Sequence, residues 1–174
     1  MAHHITALRL TVIGGGFFGA YLAQDLSACR DVESVTLLEQ KPVLFSGAPR
    51  HNQRRVHRGY HYPRHFPTLA RSNHLYSKFV RDWRESLLQG TSHYYAISSL
   101  NSKTSSSRFV EVCNRAGLPL QEPSSAVKAH FNSAVTESVF EVEETTFDPN
   151  ILASMVERRL IENNVTVKLS TKAV

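Results

Sequence analysis

The stretch TVIGGGFFGAYLAQDL at residues 11–26, followed by SVTLLEQK at 34–41, decides the fold. A short apolar run (Leu10, Val12, Ile13) leads into Gly14-x-Gly16-x-x-Gly19. A helical stretch follows, and a second apolar run (Val35, Leu37, Leu38) ends in Glu39. Each glycine has a mechanical task. Gly14 makes the strand-to-helix turn, Gly16 lets the backbone approach a pyrophosphate, and Gly19 lets the helix pack on the strand. The amides that open the helix, with the positive end of its dipole, suit phosphate. Glu39 lies 20 residues after Gly19, where a carboxylate accepts hydrogen bonds from both hydroxyls of an adenosine ribose. The same charge repels a 2′-phosphate, which disfavours NADP. Strand, glycines, helix, strand and acid in this order predict a dinucleotide site, a stronger signal than an isolated glycine triplet.

The rest of the chain continues an α/β order. The spacing predicts a strand near 8–13, a helix near 16–29 and a strand at 34–39. Phe18, Leu22 and Leu26 recur at intervals of four, a stripe fit to lie on a sheet. Pro42 and the SGAPR turn end regularity, and residues 43–66 read as an extended, ligand-facing loop. A helix is predicted over 68–88, with Leu69, Tyr76, Phe79, Val80, Trp83 and Leu87 as a core stripe. Tyr94–Ile97 forms a short strand. The serine-rich stretch 98–107 is a turn followed by a helix start, since Phe109, Val110 and Cys113 resume helical spacing and Gly117 ends it. Val139–Glu143 alternates as a half-buried strand. Asp148 then caps a helix with Pro149 at its first position and an apolar face of Ile151, Leu152, Met155, Val156 and Leu160. Asn163-Asn164 supplies a left-handed stop, and Val165–Leu169 alternates as a last strand.

With 174 residues and 41% hydrophobic content, the chain can bury one core or a compact two-lobed unit. No apolar run approaches the ~20 residues needed to cross a bilayer. The start MAHHITALRL lacks the apolar core of a secretory signal. Cys29 and Cys113 are too few for a disulfide framework and read as buried thiols in a reducing cytosol, so a cytoplasmic location is expected. The net charge of +5 invites a nucleic-acid reading. Its positive charge is concentrated, however: Arg50, Arg54, Arg55, Arg58, Arg64 and Arg71 fall within 22 residues, joined by His51, His57, His61 and His65. Acidic stretches such as Glu141, Glu143 and Glu144 balance the remainder. Tyr60 and Tyr62 interleave with the arginines, but the dinucleotide signature already demands an anion nearby. No nucleic-acid partner and no metal site is expected.

VIGGGFFGAYLA with LLEQ, then SGAPRHNQRRVHRGYHYPR, then FEVEETTFDPNILASMVERRLIENNVTVKLSTKAV resembles the FAD-dependent oxidoreductases of the D-amino-acid oxidase superfamily. The resemblance covers nearly the whole chain and is closest at 10–66 and 136–174. It implies a Rossmann-like FAD-binding domain, a parallel sheet with flanking helices, built from 1–66 and 136–174. Residues 67–135 would be an inserted, mainly helical segment, part of an α+β substrate-side lobe. Full members usually carry a C-terminal half as well, so the resemblance implies an N-terminal half, either a fragment or one completed by a partner chain.

The resemblance also implies roles. Gly14, Gly16 and Gly19, with the N–H groups of Phe17 and Phe18, would cradle the FAD pyrophosphate, and Glu39 would hold the ribose. Gln40 and Lys41 would sit at the edge of the adenine, which the main chain of Val174 would also meet. Ser46, Gly47, Ala48, Asn52, Gln53, Arg54 and His57 would lie along the ribityl chain and flavin. The substrate would be a small amino or hydroxy acid whose CH–NH or CH–OH bond gives a hydride to the flavin. Arginine binds a carboxylate with both oxygens, which makes Arg58 and Arg64 candidates. His61 or Tyr62 would accept the heteroatom proton. An NAD-linked Rossmann dehydrogenase and a non-catalytic basic binding fragment are the alternatives.

Overall fold

The computed structural model describes residues 7–47 and 52–174. The chain divides into two compact units, residues 1–54 with 148–174, and residues 55–147. These breaks fall after 54 and 147, where the sequence predicts them after 66 and 135. The difference arises because 55–56 and 136–147 supply strands to the sheets of the second unit.

The first unit is a parallel three-stranded sheet with two helices. β1 (Leu8–Ile13) and β2 (Val32–Leu38) pair in parallel, with Leu10 opposite Val35 and Ile13 opposite Leu38. β2 also pairs with β9 (Thr166–Lys168), Leu37 opposite Val167. A parallel pair needs a crossover, and α1 (Phe17–Ser27) supplies it between β1 and β2. The late helix α5 (Pro149–Glu162) leads into β9 and packs on α1. Asp148 caps α5 as its sequence predicts: Oδ1 accepts the N–H of Asn150 at 2.7 Å and of Ile151 at 3.2 Å. Asn164, at φ 54, takes the left-handed stop. Val35 and Leu37 alternate inward along β2 and are buried, as are Ala20 and Ala23 of α1 and Leu152, Val156 and Leu160 of α5.

Two expectations for α1 are corrected. Its buried positions are Ala20 and Ala23, while Phe18 and Leu22 are exposed at 87% and 50%. Small side chains face the sheet because the helix opens directly from β1 and must run close to it. The helix also ends at Ser27, so Cys29 falls in the turn beyond it and is exposed; only Cys113 is buried.

The second unit carries two antiparallel three-stranded sheets. One has the order β3 (Arg55–Val56), β8 (Thr145–Phe147), β4 (Leu87–Leu88), and the other β5 (His93–Ser98), β7 (Thr136–Val142), β6 (Leu120–Gln121). The predicted helix over 68–88 runs instead from Phe66 to Asp82 as α2, followed by a 3-10 turn and β4. Its cap is His65, whose Nδ1 accepts the Thr68 N–H at 3.3 Å. Leu69, Tyr76 and Trp83 of the expected stripe are buried. α3 (Ser106–Arg115) starts in the serine-rich stretch under a Ser105 cap and ends before Gly117 at φ +66. A four-residue helix, α4 (Ser125–Lys128), follows β6. Phe109 is the pivot of this core, its ring 5.5 Å from Phe140, 6.1 Å from Tyr95 and 6.5 Å from Tyr60. The Tyr60 hydroxyl is satisfied by donating to the Pro119 carbonyl at 2.6 Å. Residues 43–66, read as loop, therefore contain β3 and the core residues Val56 and Tyr60.

Candidate functional site

In the first unit, the residues the sequence singles out converge at the carboxyl ends of the parallel strands, the edge where open α/β sheets bind ligands. Ile13 and Gly14 leave β1, Leu38, Glu39 and Gln40 leave β2, and Thr171, Lys172 and Ala173 follow β9. Together these residues line a cavity of about 220 Å³. Val174 follows directly on this wall. The Glu39 main chain is clamped to the third strand, its N–H donating to Lys168 O at 2.9 Å and its carbonyl accepting from Thr171 N at 2.9 Å.

The Glu39 carboxylate bridges two backbone amides. Oε2 accepts Gly15 N–H at 2.6 Å and Oε1 accepts Lys41 N–H at 2.8 Å. A carboxylate has about four acceptor sites, so lone pairs on both oxygens are left for further donors such as ribose hydroxyls. The glycines fit the same purpose. Gly14 turns at φ +105, and a Cβ on Gly19 would run into the Gly14 carbonyl oxygen, so the helix opens hard against β1. Above Gly16 the space is open within 4 Å, which leaves its backbone accessible. A diphosphate with an attached ribose therefore fits these residues: exposed backbone at the helix opening, and an acid with spare acceptors beside it.

The remaining predicted cofactor residues of this unit spread over several neighbours. Phe17 turns inward, 6.2 Å from the Phe45 ring, and Phe45 N–H donates to Gly15 O at 3.0 Å. Phe18 points outward. Ser46 is half-buried and Gly47 exposed. Asn52 Oδ1 accepts the Arg54 N–H at 2.8 Å in an exposed turn that also holds Gln53, and Arg54 takes φ 55. Ala48 lies outside the described residues.

In the second unit the predicted residues gather round one that sequence reasoning missed. Glu144, between β7 and β8, has a fully buried side chain. Its Oε1 accepts the Arg58 N–H at 3.0 Å, Arg55 Nη1 stands 3.5 Å from Oε2, and His57 Nδ1 stands 3.5 Å from Oε1 without hydrogen-bond alignment. The Tyr95 hydroxyl donates toward Oε2 at 3.4 Å and meets His61 Nδ1 at 2.5 Å. The His57 and His61 ring centres lie 4.2 Å apart with the planes tilted by 32°. Burial alone would push the Glu144 carboxyl up, but His57, the Arg58 amide and Arg55 outweigh it and hold it below its ordinary value. Burial, then the neighbouring His57, push the His61 imidazole down. Burial pushes the Tyr95 phenol well up. Glu144 is local only to other acids in sequence, so nothing but its distant partners marks it out.

Arg58 is largely engaged within the protein. Its Nη1 pairs with Glu143 Oε2 at 2.6 Å, its Nε donates to Asn73 Oδ1 at 2.9 Å, and its guanidinium lies 5.1 Å from the Tyr76 ring centre. Tyr62 and Arg64 are exposed. A larger cavity of about 590 Å³ in this unit is lined by Val110, Leu120, Lys128 and Phe140, among others. No predicted site residue lines it, so size alone does not locate the chemistry. Among the described residues no His, Cys, Asp and Glu group is arranged to hold a metal, and no helix is long and apolar enough to cross a membrane.

Residues 9–174 match the family described as FAD dependent oxidoreductase. An FAD-dependent monooxygenase, kojA of Aspergillus flavus, is 34% identical over 113 residues, 62% of this chain and 26% of that protein. Among solved structures, the L-alpha-glycerophosphate oxidase of Mycoplasma pneumoniae with FAD bound superimposes with a TM-score of 0.68 at 16% identity, over 95% of this chain and 45% of that one. L-proline dehydrogenase from P. horikoshii superimposes with a TM-score of 0.65 at 18% identity, over the same shares. The chain thus spans about a quarter of that curated relative and under half of these structures. At such identities the structures share a fold.

Proposed function

The chain belongs to the FAD dependent oxidoreductase family, and on that premise we propose that it binds FAD through its first unit and serves the oxidation of a CH–NH or CH–OH bond in a small amino or hydroxy acid. The observation that carries the reading is the Glu39 carboxylate held on the Gly15 amide at 2.6 Å, beside the cavity at the strand ends. The backbone of Gly14–Gly19, with the amides of Phe17 and Phe18, would hold the pyrophosphate. Glu39 would take the ribose hydroxyls, and Gln40, Lys41 and the Val174 main chain would hold the adenine. Ser46, Gly47, Ala48, Asn52, Gln53, Arg54 and His57 would be the residues to hold the ribityl chain and ring. FAD, when bound, supplies the hydride acceptor. On the substrate side His61 takes the heteroatom proton, a role its lowered basicity near neutrality supports, with exposed Tyr62 as the second candidate. Arg64, exposed, suits a substrate carboxylate better than Arg58, whose fork already holds Glu143 and Asn73. Two unpaired cysteines accord with a cytoplasmic setting.

The test is the visible absorption of the purified chain supplied with FAD, and its bleaching under anaerobic conditions by amino and hydroxy acids. Flavin absorption that survives desalting and bleaches with one class supports the reading. A protein that stays colourless while binding NADH and quenching its fluorescence overturns it in favour of an NAD-linked enzyme. The identity to a monooxygenase favours a second reading of the chemistry, insertion of an oxygen atom. Label from ¹⁸O₂ in the organic product would select that second reading, and stoichiometric hydrogen peroxide the first.

A further inference from the structure

The side chains around Glu144 form a directed hydrogen-bond chain, because one member can only accept. A carboxylate has no proton to give, so its contact with the Tyr95 hydroxyl at 3.4 Å is attractive only when the phenol donates. Were the phenol to donate to His61 instead, its oxygen lone pairs would face a buried carboxylate across that gap, an unpaired contact in a poorly solvated site. A phenol has one proton. With that proton on the Glu144 side, the 2.5 Å contact between Tyr95 Oη and His61 Nδ1 is a bond in which the imidazole Nδ1–H donates.

We propose that Glu144 is a positioning residue that, through Tyr95, fixes His61 as the Nδ1–H tautomer and leaves Nε2 as an unprotonated acceptor on an exposed ring. Among the described residues Nε2 makes no hydrogen bond. The His57 ring assists: it lies 4.2 Å from the His61 ring and disfavours a positive charge there. Arg55, 3.5 Å from Glu144 and 6.0 Å from the Tyr95 ring centre, adds to that bias. In each turnover the proton from the substrate nitrogen or oxygen would go to His61 Nε2 while the C–H hydride leaves separately. That last role rests on the function proposed above; the tautomer does not.

The experiment is long-range ¹H–¹⁵N correlation NMR of the whole chain labelled at histidine nitrogens, near pH 7.5, for the wild type, Tyr95→Phe and Glu144→Gln. The wild type is expected to show His61 predominantly as Nδ1–H. Tyr95→Phe removes the acceptor, and the majority form should switch to Nε2–H. Glu144→Gln keeps the shape, but its amide can donate to the phenol, so the same switch is expected. Wild-type His61 in the Nε2–H form overturns the proposal, as does an Nδ1–H form that both variants leave unchanged. If Glu144→Gln fails to fold, the wild type and Tyr95→Phe decide alone. The outcome is independent of flavin: loss of FAD binding would sink the functional reading without moving this signal, and an Nε2–H His61 would sink the relay without affecting FAD affinity.

Discussion

Glu39 Oε2 accepts the Gly15 N–H at 2.6 Å, joining two residues 24 positions apart across the turn that opens α1. The acid that ends β2 is thus tied to the glycine loop before any ligand arrives. Its position is set by backbone on three sides, the Gly15 and Lys41 amides holding its oxygens and the third strand holding its main chain. A carboxylate fixed in this way needs little reordering to accept ribose hydroxyls, which is how preorganised sites gain affinity.

Replacing Glu39 with Gln keeps the side chain's length but offers one accepting oxygen where two are used. A hydrogen bond to a charged group contributes about 1.5–3 kcal/mol, so FAD affinity should weaken roughly 10- to 100-fold. Flavin fluorescence quenching titrations on both proteins measure this, and equal dissociation constants would refute the assignment.

Gly19→Ala places a methyl group on the Gly14 carbonyl oxygen, where backbone rather than a flexible side chain must give way. Overpacking of this kind costs about 1–3 kcal/mol. The melting temperature should fall and FAD affinity should fall with it, since the same turn presents the amides. An unchanged melting temperature would mean that α1 does not open against β1 as described.

These features were legible because they are local. A run of some thirty residues holds a strand, its turn glycines, a helix and an acid, and each is set by near neighbours. The Asp148-Pro149 cap and the Asn164 stop were legible for the same reason. What stayed hidden depends on distant partners. β3, β4 and β6 are two residues each and β8 three, too short for any alternation to register. Phe18 and Leu22 have the right period, but period does not say which face a helix buries. Ala20 and Ala23 take that face because they permit close approach. Glu144 sat in an acidic run, yet its partners Arg55, His57 and Tyr95 lie 49 or more residues away.

Asp148→Ala removes the acceptor for two orphan amides of α5 and should cost about 1 kcal/mol of stability. A urea titration reads this as a lower midpoint with an unchanged slope. Because the cap lies outside the lining of the Glu39 cavity, FAD affinity should be unaffected.

Stability should decline in two stages on acidification. His61 and His93 are held below their ordinary 6.5, chiefly by burial. The unfolded chain therefore takes up these protons first, and stability present above pH ~6.5 is lost as pH falls through that value toward the folded-state values. The Glu144 carboxyl is held below its ordinary 4.5, so its contribution is intact above that value and lost as pH falls through the folded-state value. Urea midpoints measured over this range should show both limbs, and Glu144→Gln should shrink the lower one, to which Asp82 also contributes. A wild-type profile that is flat, or that rises on acidification, would contradict the directions assigned to His61, His93 and Glu144.

The most direct test is an FAD titration followed by the amide resonances of the ¹⁵N-labelled chain. The largest shifts should fall on Gly15, Gly16, Phe17 and Phe18 at the opening of α1 and on Lys41 beside Glu39, saturating together, with saturation moved to higher FAD in Glu39→Gln. Saturable binding that leaves those amides unmoved, or that Glu39→Gln does not weaken, would contradict the account.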